Sequence, residues 1–302
     1  MNRWLTYARE RFPLVQNGAL IAAFSGSAIA FSALARGADR FPAWHLLAAG
    51  FASSFLTFAL LRIADEFKDA EEDARWRPYR PVPRGLVTLR ELKIAGAVCM
   101  GLQLAIALAV DVRLVPGLLA VWAWFGLMSR EFFARRWLRA HPIVYIVSHL
   151  AIVPLVDWYV SSFDWLVAGA AAPRALVWFL AVTAVNGFVV EVGRKIRAPR
   201  DEEPGVETYT ALWGRARAAA VWTGAIACNV ALATLAAAHV GFAHVDAIVF
   251  GALGLAAAAC TVWFLRTRRS GAGRRIETMT GAWTLGSYAF LGLVPLGVHV
   301  LR

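Results

Sequence analysis

Cysteine is scarce in this chain of 302 residues, and the three present, Cys99, Cys228 and Cys260, lie in apolar stretches with no paired spacing. That excludes a disulfide framework or a paired-cysteine metal site and leaves all three as expected small, buried hydrophobes. No small-residue cleavage site follows the first apolar stretch. The N-terminal region, with Arg3, Arg9, Glu10 and Arg11, therefore reads as part of an anchor and not as a removable leader. Charged residues make up only 17% of the chain against 59% hydrophobic, and the mean hydropathy of +0.57 excludes an ordinary soluble domain. The DG…AR…G arrangement with which a CDP-alcohol phosphotransferase builds its metal site is missing as well.

Long apolar runs, by contrast, are plentiful. Stretches of the length that crosses a bilayer, roughly 17–25 residues, recur along nearly the whole chain. They fall at 17–35, 43–64, 93–110, 114–129, 142–160, 174–193, 216–238, 244–265 and 279–300. The reading is an all-α polytopic membrane bundle of about nine spanning helices in a single domain. Gly, Ala and Ser fill these runs, as close helix packing in lipid requires. Trp4, Trp44, Trp76, Trp137, Trp158, Trp165 and Trp213 sit near their ends, where an interfacial belt is expected.

The net charge of +11 invites a nucleic-acid reading, but its placement argues otherwise. With nine alternating spans, the basic clusters from Arg75 to Arg90, Arg130 to Arg139, Arg194 to Arg217 and Arg266 to Arg275 share one side. The opposite loops offer little beyond Arg36, Arg40, Arg113 and Arg174, with Arg302 at the same far side. This is the asymmetry that places the basic side in the cytoplasm, with most arginines setting topology at the headgroups. The N-terminus and the acidic clusters described next then face the cytoplasm, in a bacterial inner membrane. Asp157 and Asp164 fall at the far face and are expected to be solvated.

Carboxylates gather in two places. Asp65-Glu66-Phe67-Lys68-Asp69-Ala70-Glu71-Glu72-Asp73 closes the second span, and Asp65, Asp69 and Asp73 recur every four residues, along one helix face. Like charges so stacked need a neutraliser. Mg²⁺ suits them because it takes oxygen ligands, keeps waters and shares its shell with substrate phosphates. The second run, Asp201-Glu202-Glu203 with Glu207, follows the sixth span. Two acidic clusters at helix ends read as a metal–diphosphate site. A cation-coupled transporter is the competing class, although such proteins place coupling groups near the bilayer midplane.

At these residues the chain resembles the UbiA superfamily of intramembrane prenyltransferases. That family's first motif, NDxxDxxxD, is followed by an RPLPSG-like turn. Here Asp65 takes the Asn and Glu66 the first Asp, and Arg80-Pro81-Val82-Pro83-Arg84-Gly85 supplies the turn at the matching distance. Of the second motif, DxxxDxxxGxxT, the chain keeps Asp201, Gly205 and Thr208, while the first Asp position holds Arg197. Either Glu191 supplies the replacement carboxylate, or it simply pairs with Lys195 one turn on.

The resemblance implies a bundle around a central, lipid-accessible cavity, two pseudo-repeated four-helix units plus a final helix. It implies a Mg²⁺-dependent transfer of an isoprenyl group from an isoprenyl diphosphate to an aromatic, quinone-precursor or other lipophilic acceptor. Asp65, Asp69 and Asp201 are then the preferred metal ligands and catalytic carboxylates. Glu66, Asp73 and Glu191 are further metal candidates, and Lys195, Arg194, Arg197 and Arg136 are the diphosphate contacts. A terpene-cyclising or non-catalytic member of the superfamily stays open. His149 and Asn186, polar groups inside apolar runs, face either the cavity or another helix.

Overall fold

The computed structural model describes residues 2–38, 42–203 and 206–300, apart from the side chains of Arg139 and Pro142. Arg40, Pro204, Gly205 and Arg302 lie outside the described residues. The described residues form helices and no strand. Among the described residues, nine helices are long and apolar enough to cross a membrane. They are α1 (Leu14–Ala35), α2 (Trp44–Lys68), α3 (Leu89–Val110), α4 (Val112–Ser129), α5 (Ile143–Trp165), α6 (Leu176–Gly193), α7 (Arg215–Ala238), α8 (Ala243–Arg266) and α9 (Ala272–Val300). A short amphipathic helix, Arg3–Arg11, precedes them, with Asn2 capping its first turn.

The most enclosed span is α1, whose Ala28, Ile29, Ala30 and Phe31 are inaccessible to solvent. It packs against α2, α5 and α9. Its Gly, Ala and Ser content lets neighbouring backbones approach closely. Ser27 Oγ donates to the Tyr288 carbonyl at 2.6 Å, at the point where α9 widens into a π-turn over Ala289–Leu293. Gly292 lies against Ser27 there, with no room for a side chain.

Several polar groups inside the bundle pair across helices, which spares them the cost of unmet polarity in lipid. Asn186 of α6 accepts from Asn229 Nδ2 of α7 at 2.8 Å and from Trp283 Nε1 of α9 at 3.0 Å. Its own Nδ2 donates to Ser287 Oγ at 2.8 Å. Of the two readings open for Asn186, the structure realises the helix–helix hydrogen bond.

Two expectations are corrected here. Asp157 and Asp164 are enclosed, not solvated. Asp164 receives Arg36 through Nε at 2.9 Å and Nη2 at 2.8 Å, together with Ser32 Oγ at 2.8 Å. The cation at the end of α1 turns the carboxylate inward, because α1 and α5 run side by side. Cys228 is exposed on the bundle's outer surface, and Cys99 and Cys260 are half-buried.

Replacing Asn186 by Ala strands the Asn229 and Trp283 donors. The loss is expected to be about 1–3 kcal/mol, read as a lower thermal midpoint in detergent. Cys228→Ala, on the outer surface, leaves that midpoint unchanged.

Candidate active site

The first acidic run straddles a helix break. α2 ends at Lys68, Asp69 leaves helical geometry, and a short helix Ala70–Trp76 follows. The chain then turns through Arg80 to Gly85, where Leu86 N–H reaches the Pro81 carbonyl at 2.9 Å. Gly85 has φ +77°, a conformation that side-chain-bearing residues avoid. A capping box between Thr88 and Glu91 starts α3 at once.

The carboxylates of the run divide between two faces. Glu66 and Asp73, seven residues apart, point toward the N-terminal helix and are almost inaccessible. Glu66 accepts from Arg11 Nε at 2.5 Å and pairs with Arg62 at 3.3 Å. Asp73 accepts from Arg80 Nη1 at 2.7 and 2.8 Å and pairs with Arg77 at 3.2 Å, and Arg11 Nη2 lies 3.9 Å away. A carboxylate so enclosed needs such partners to remain charged. Asp65 and Asp69 point elsewhere. Asp65 is exposed and forms one ion pair among the described residues, with Arg62 at 3.5 Å. The Asp69 carboxylate accepts no hydrogen bond among the described residues.

A second wall stands at the end of α6. Glu191 accepts from Lys195 Nζ at 2.8 Å, from Tyr209 Oη at 3.3 Å and from Arg194 Nε at 2.8 Å. Burial first, and then the Glu191 charge, hold the Tyr209 phenol above its usual range, so it stays a donor. The Arg194 guanidinium and the Asp65 carboxylate lie close enough to feel each other's charge, so the ends of α2 and α6 are neighbours. Of the two readings open for Glu191, the pair with Lys195 is present, and Arg194 and Tyr209 share the same carboxylate.

A third wall carries residues that the motifs do not name. Lys68 Nζ donates to Tyr145 Oη and lies 3.5 Å from Glu131. Tyr145 stacks on His149 with ring centroids 4.0 Å apart. His149 Nδ1 faces the Tyr145 carbonyl at 2.8 Å, so that nitrogen carries the proton. Glu131, Phe132 and Phe133 follow α4 with φ of 48°, 53° and 57°. Three consecutive left-handed residues other than glycine cost roughly 1–2 kcal/mol each. Lys68 was in view inside the acidic run. Glu131 and Tyr145 gave no signal beyond a carboxylate among arginines and a tyrosine near a helix start. Arg136 is exposed, with no ion pair among the described residues.

The second acidic run does a different job. Asp201 accepts from Ser270 Oγ and from the Gly271 N–H at 2.7 Å, capping α9 from seventy residues away. The Ser270 hydroxyl first, then the Gly271 amide, hold its carboxyl below the usual range. Glu202 accepts from Thr208 and Thr210, each at 2.6 Å, and Arg197 donates to Glu203 at 3.0 Å. Gly273 presses against the Ile196 carbonyl, where a methyl group would clash. An open cavity of about 650 Å³ lies between this loop and α9, edged by Arg194, Arg197, Arg200, Asp201 and Arg274. The first acidic run is not among its walls.

The donor set bears on the magnesium expectation. Among the described residues no three His, Cys, Asp or Glu side chains converge, so a cage made by protein alone does not exist there. Mg²⁺ is commonly held by one or two carboxylates with phosphates and waters completing the shell. Asp65 and Asp69, one turn apart and free of hydrogen-bonded partners, fit that need.

Residues 25–295 match the model of the UbiA prenyltransferase family. Among solved structures, one described with the biosynthesis of digeranylgeranylglyceryl phosphate synthase in membranes is 13% identical, over the whole of both chains, with a TM-score of 0.58. A UbiA homolog from Archaeoglobus fulgidus is 14% identical over 99% of this chain and 100% of that one, with a TM-score of 0.56. These likenesses establish the shared fold. No curated protein matches the chain.

Because Asp201 titrates below the ordinary carboxylate range in the folded chain, its hold on α9 is complete above that range. The hold is lost only as the pH falls through the lowered value. The protection factor of the Gly271 amide, its exchange rate relative to an unstructured amide at the same pH, is expected to be high at neutral pH and to fall in acid. Asp201→Asn should show the low protection already at neutral pH; equal protection in the variant would remove this cap from the account.

Proposed function

Since this chain belongs to the UbiA prenyltransferase family, we propose that it transfers an isoprenyl group from an isoprenyl diphosphate to a lipophilic or aromatic acceptor within the membrane. The observation that carries the reading is the Asp65–Asp69 pair. It is left open by its own neighbours and faces a wall where Glu191 gathers Arg194 and Lys195. The arginine-rich end, with this site, faces the cytoplasm of a bacterial cell.

Breaking the allylic carbon–oxygen bond sends its electron pair onto the departing diphosphate. Groups that stabilise that charge must already be in place. Asp65 and Asp69 would hold Mg²⁺, which when bound would supply charge neutralisation to the leaving group. Glu191 is the third carboxylate that we assign to the site. Arg194, Lys195 and Lys68 supply cations to the phosphate oxygens, Arg through its planar fork and Lys as point charges. Tyr209, kept protonated, donates toward the same region. Glu66 and Asp73 hold the run in place from behind, and Asp201 holds the second loop, so these three act by position. Departure of the diphosphate leaves the allylic carbon cationic, and an aromatic face can stabilise such a cation. Attack by the acceptor on the allylic carbon, with loss of the acceptor's own proton to solvent or to the released diphosphate, completes the transfer.

One observation favours a second reading, a cation-coupled transporter: Asp157, enclosed within α5, is the kind of intramembrane acid that coupling sites use. Cation-driven uptake into proteoliposomes, indifferent to isoprenyl diphosphates, would decide for it.

Purified protein incubated with labelled isoprenyl diphosphates and a panel of acceptors is expected to release diphosphate only when Mg²⁺ is present. Asp65→Ala and Asp69→Ala should each slow release on the order of a hundredfold or more while the protein stays folded. Full turnover in either variant, or in excess chelator, would refute this site.

A further inference from the structure

The segment after α4 carries a carboxylate in an unfavourable position. Glu131 opens the left-handed turn Glu131–Phe132–Phe133 and is nearly enclosed, at 8% exposure. Backbone strain of this kind persists where surrounding structure enforces it, and such positions concentrate at functional sites. The surroundings here are specific. Glu131 lies 3.5 Å from Lys68 Nζ and 3.3 Å from Arg135 Nε. Phe132 packs edge-on against both Trp124 and His149. His149 stacks on Tyr145, and the Tyr145 hydroxyl takes the other side of the Lys68 ammonium. The ammonium also lies over the Tyr145 ring, 4.8 Å from its centroid.

Lys68 is the residue immediately before Asp69. It has the long flexible stem that makes lysine a poorly placed point charge unless something fixes it. Two groups fix it here. Glu131 comes from the chain between α4 and α5 and Tyr145 from the first turn of α5, and neither belongs to either acidic run.

We propose that Glu131, together with the Tyr145 hydroxyl, is a positioning residue that holds the Lys68 ammonium beside the Asp65–Asp69 pair, where it meets the charge developing on the departing diphosphate. The left-handed turn is what brings the Glu131 carboxylate inward to reach it. The inference rests on the prenyl-transfer reading and adds to it a residue that acts through another. Since Glu131 is itself an anion, it favours the ammonium's placement over tight ground-state binding of the diphosphate. Its removal therefore acts on turnover more than on affinity.

The test is a cycle of Glu131→Gln, Tyr145→Phe and Lys68→Met, measured for kcat, for KM of the isoprenyl diphosphate, and for binding of a non-ionisable thiolodiphosphate analogue. Glu131→Gln is expected to lower kcat on the order of a hundredfold, with KM and analogue affinity no weaker than in the wild type. Tyr145→Phe keeps the ring and its stack on His149, and is expected to lower kcat about tenfold. It decides the matter should Glu131→Gln not accumulate in folded form. In the Lys68→Met background neither second change should lower kcat further, because the group they position is gone. Wild-type kcat in both single variants, or the same loss with and without Lys68, overturns the assignment while leaving prenyl transfer intact. Absence of diphosphate release by the wild type across the substrate panel overturns the prenyl-transfer reading, and this proposal with it.

Discussion

The arrangement at the acidic end of this protein depends on Arg11. Its guanidinium sits at the edge of the bundle, 9% exposed, in contact with Glu66 and close to Asp73. Glu66 at the end of α2 and Asp73 on the short helix after the break both reach the N-terminal helix, so a single cation there can collect both. Arg62, Arg77 and Arg80 complete a cluster in which cations outnumber anions. Removing one partner from such a buried group leaves an uncompensated charge and costs about 3–5 kcal/mol. That expense explains the rigidity of the arrangement. With Glu66 and Asp73 drawn to the N-terminal helix, Asp65 and Asp69 are turned to another face and left without strong partners.

The solvent imposes the second constraint. The protein is an integral membrane protein, and inside lipid each polar side chain needs a partner from another helix. Asn186 meets the requirement by joining α6, α7 and α9 at one point. Ser27 does so by occupying a carbonyl that the π-turn leaves accessible. These bonds fix helix rotation more than they add stability, since intramembrane hydrogen bonds average about 0.6 kcal/mol. Rotation matters because it decides which side of α6 carries Glu191 toward α2.

Much of the architecture was legible because lipid imposes a length. Nine apolar runs of bilayer thickness correspond to nine helices, and the ends differ by a few residues where short flanking turns extend them. The spacing of acids in the first run and its Arg-Pro-Val-Pro-Arg-Gly turn located one wall of the site. What was not legible depends on partners distant in sequence. Asp201 reads locally as one acid among several; its use as a cap for α9 follows only when Ser270 and Gly271 are brought alongside. Glu131 reads as a charge in a basic loop, and only the reversed backbone turn makes it an inward neighbour of Lys68. Asp164 reads as a solvated acid at the far face, and only Arg36, brought alongside by the packing of α1 on α5, makes it an enclosed ion-pair partner.

The widened turn in α9 has a further consequence. A π-turn accommodates one residue more than the α-helix around it, and each residue advances a helix by about 100°. The segments before and after Ala289–Leu293 thus present faces to α1 that an uninterrupted helix could not offer together. Loss of one amino acid between Tyr288 and Val294 would leave composition and hydropathy nearly untouched. It would nonetheless swing Pro295 and Leu296, now buried, away from the interior, so the last span tolerates substitution there far better than deletion.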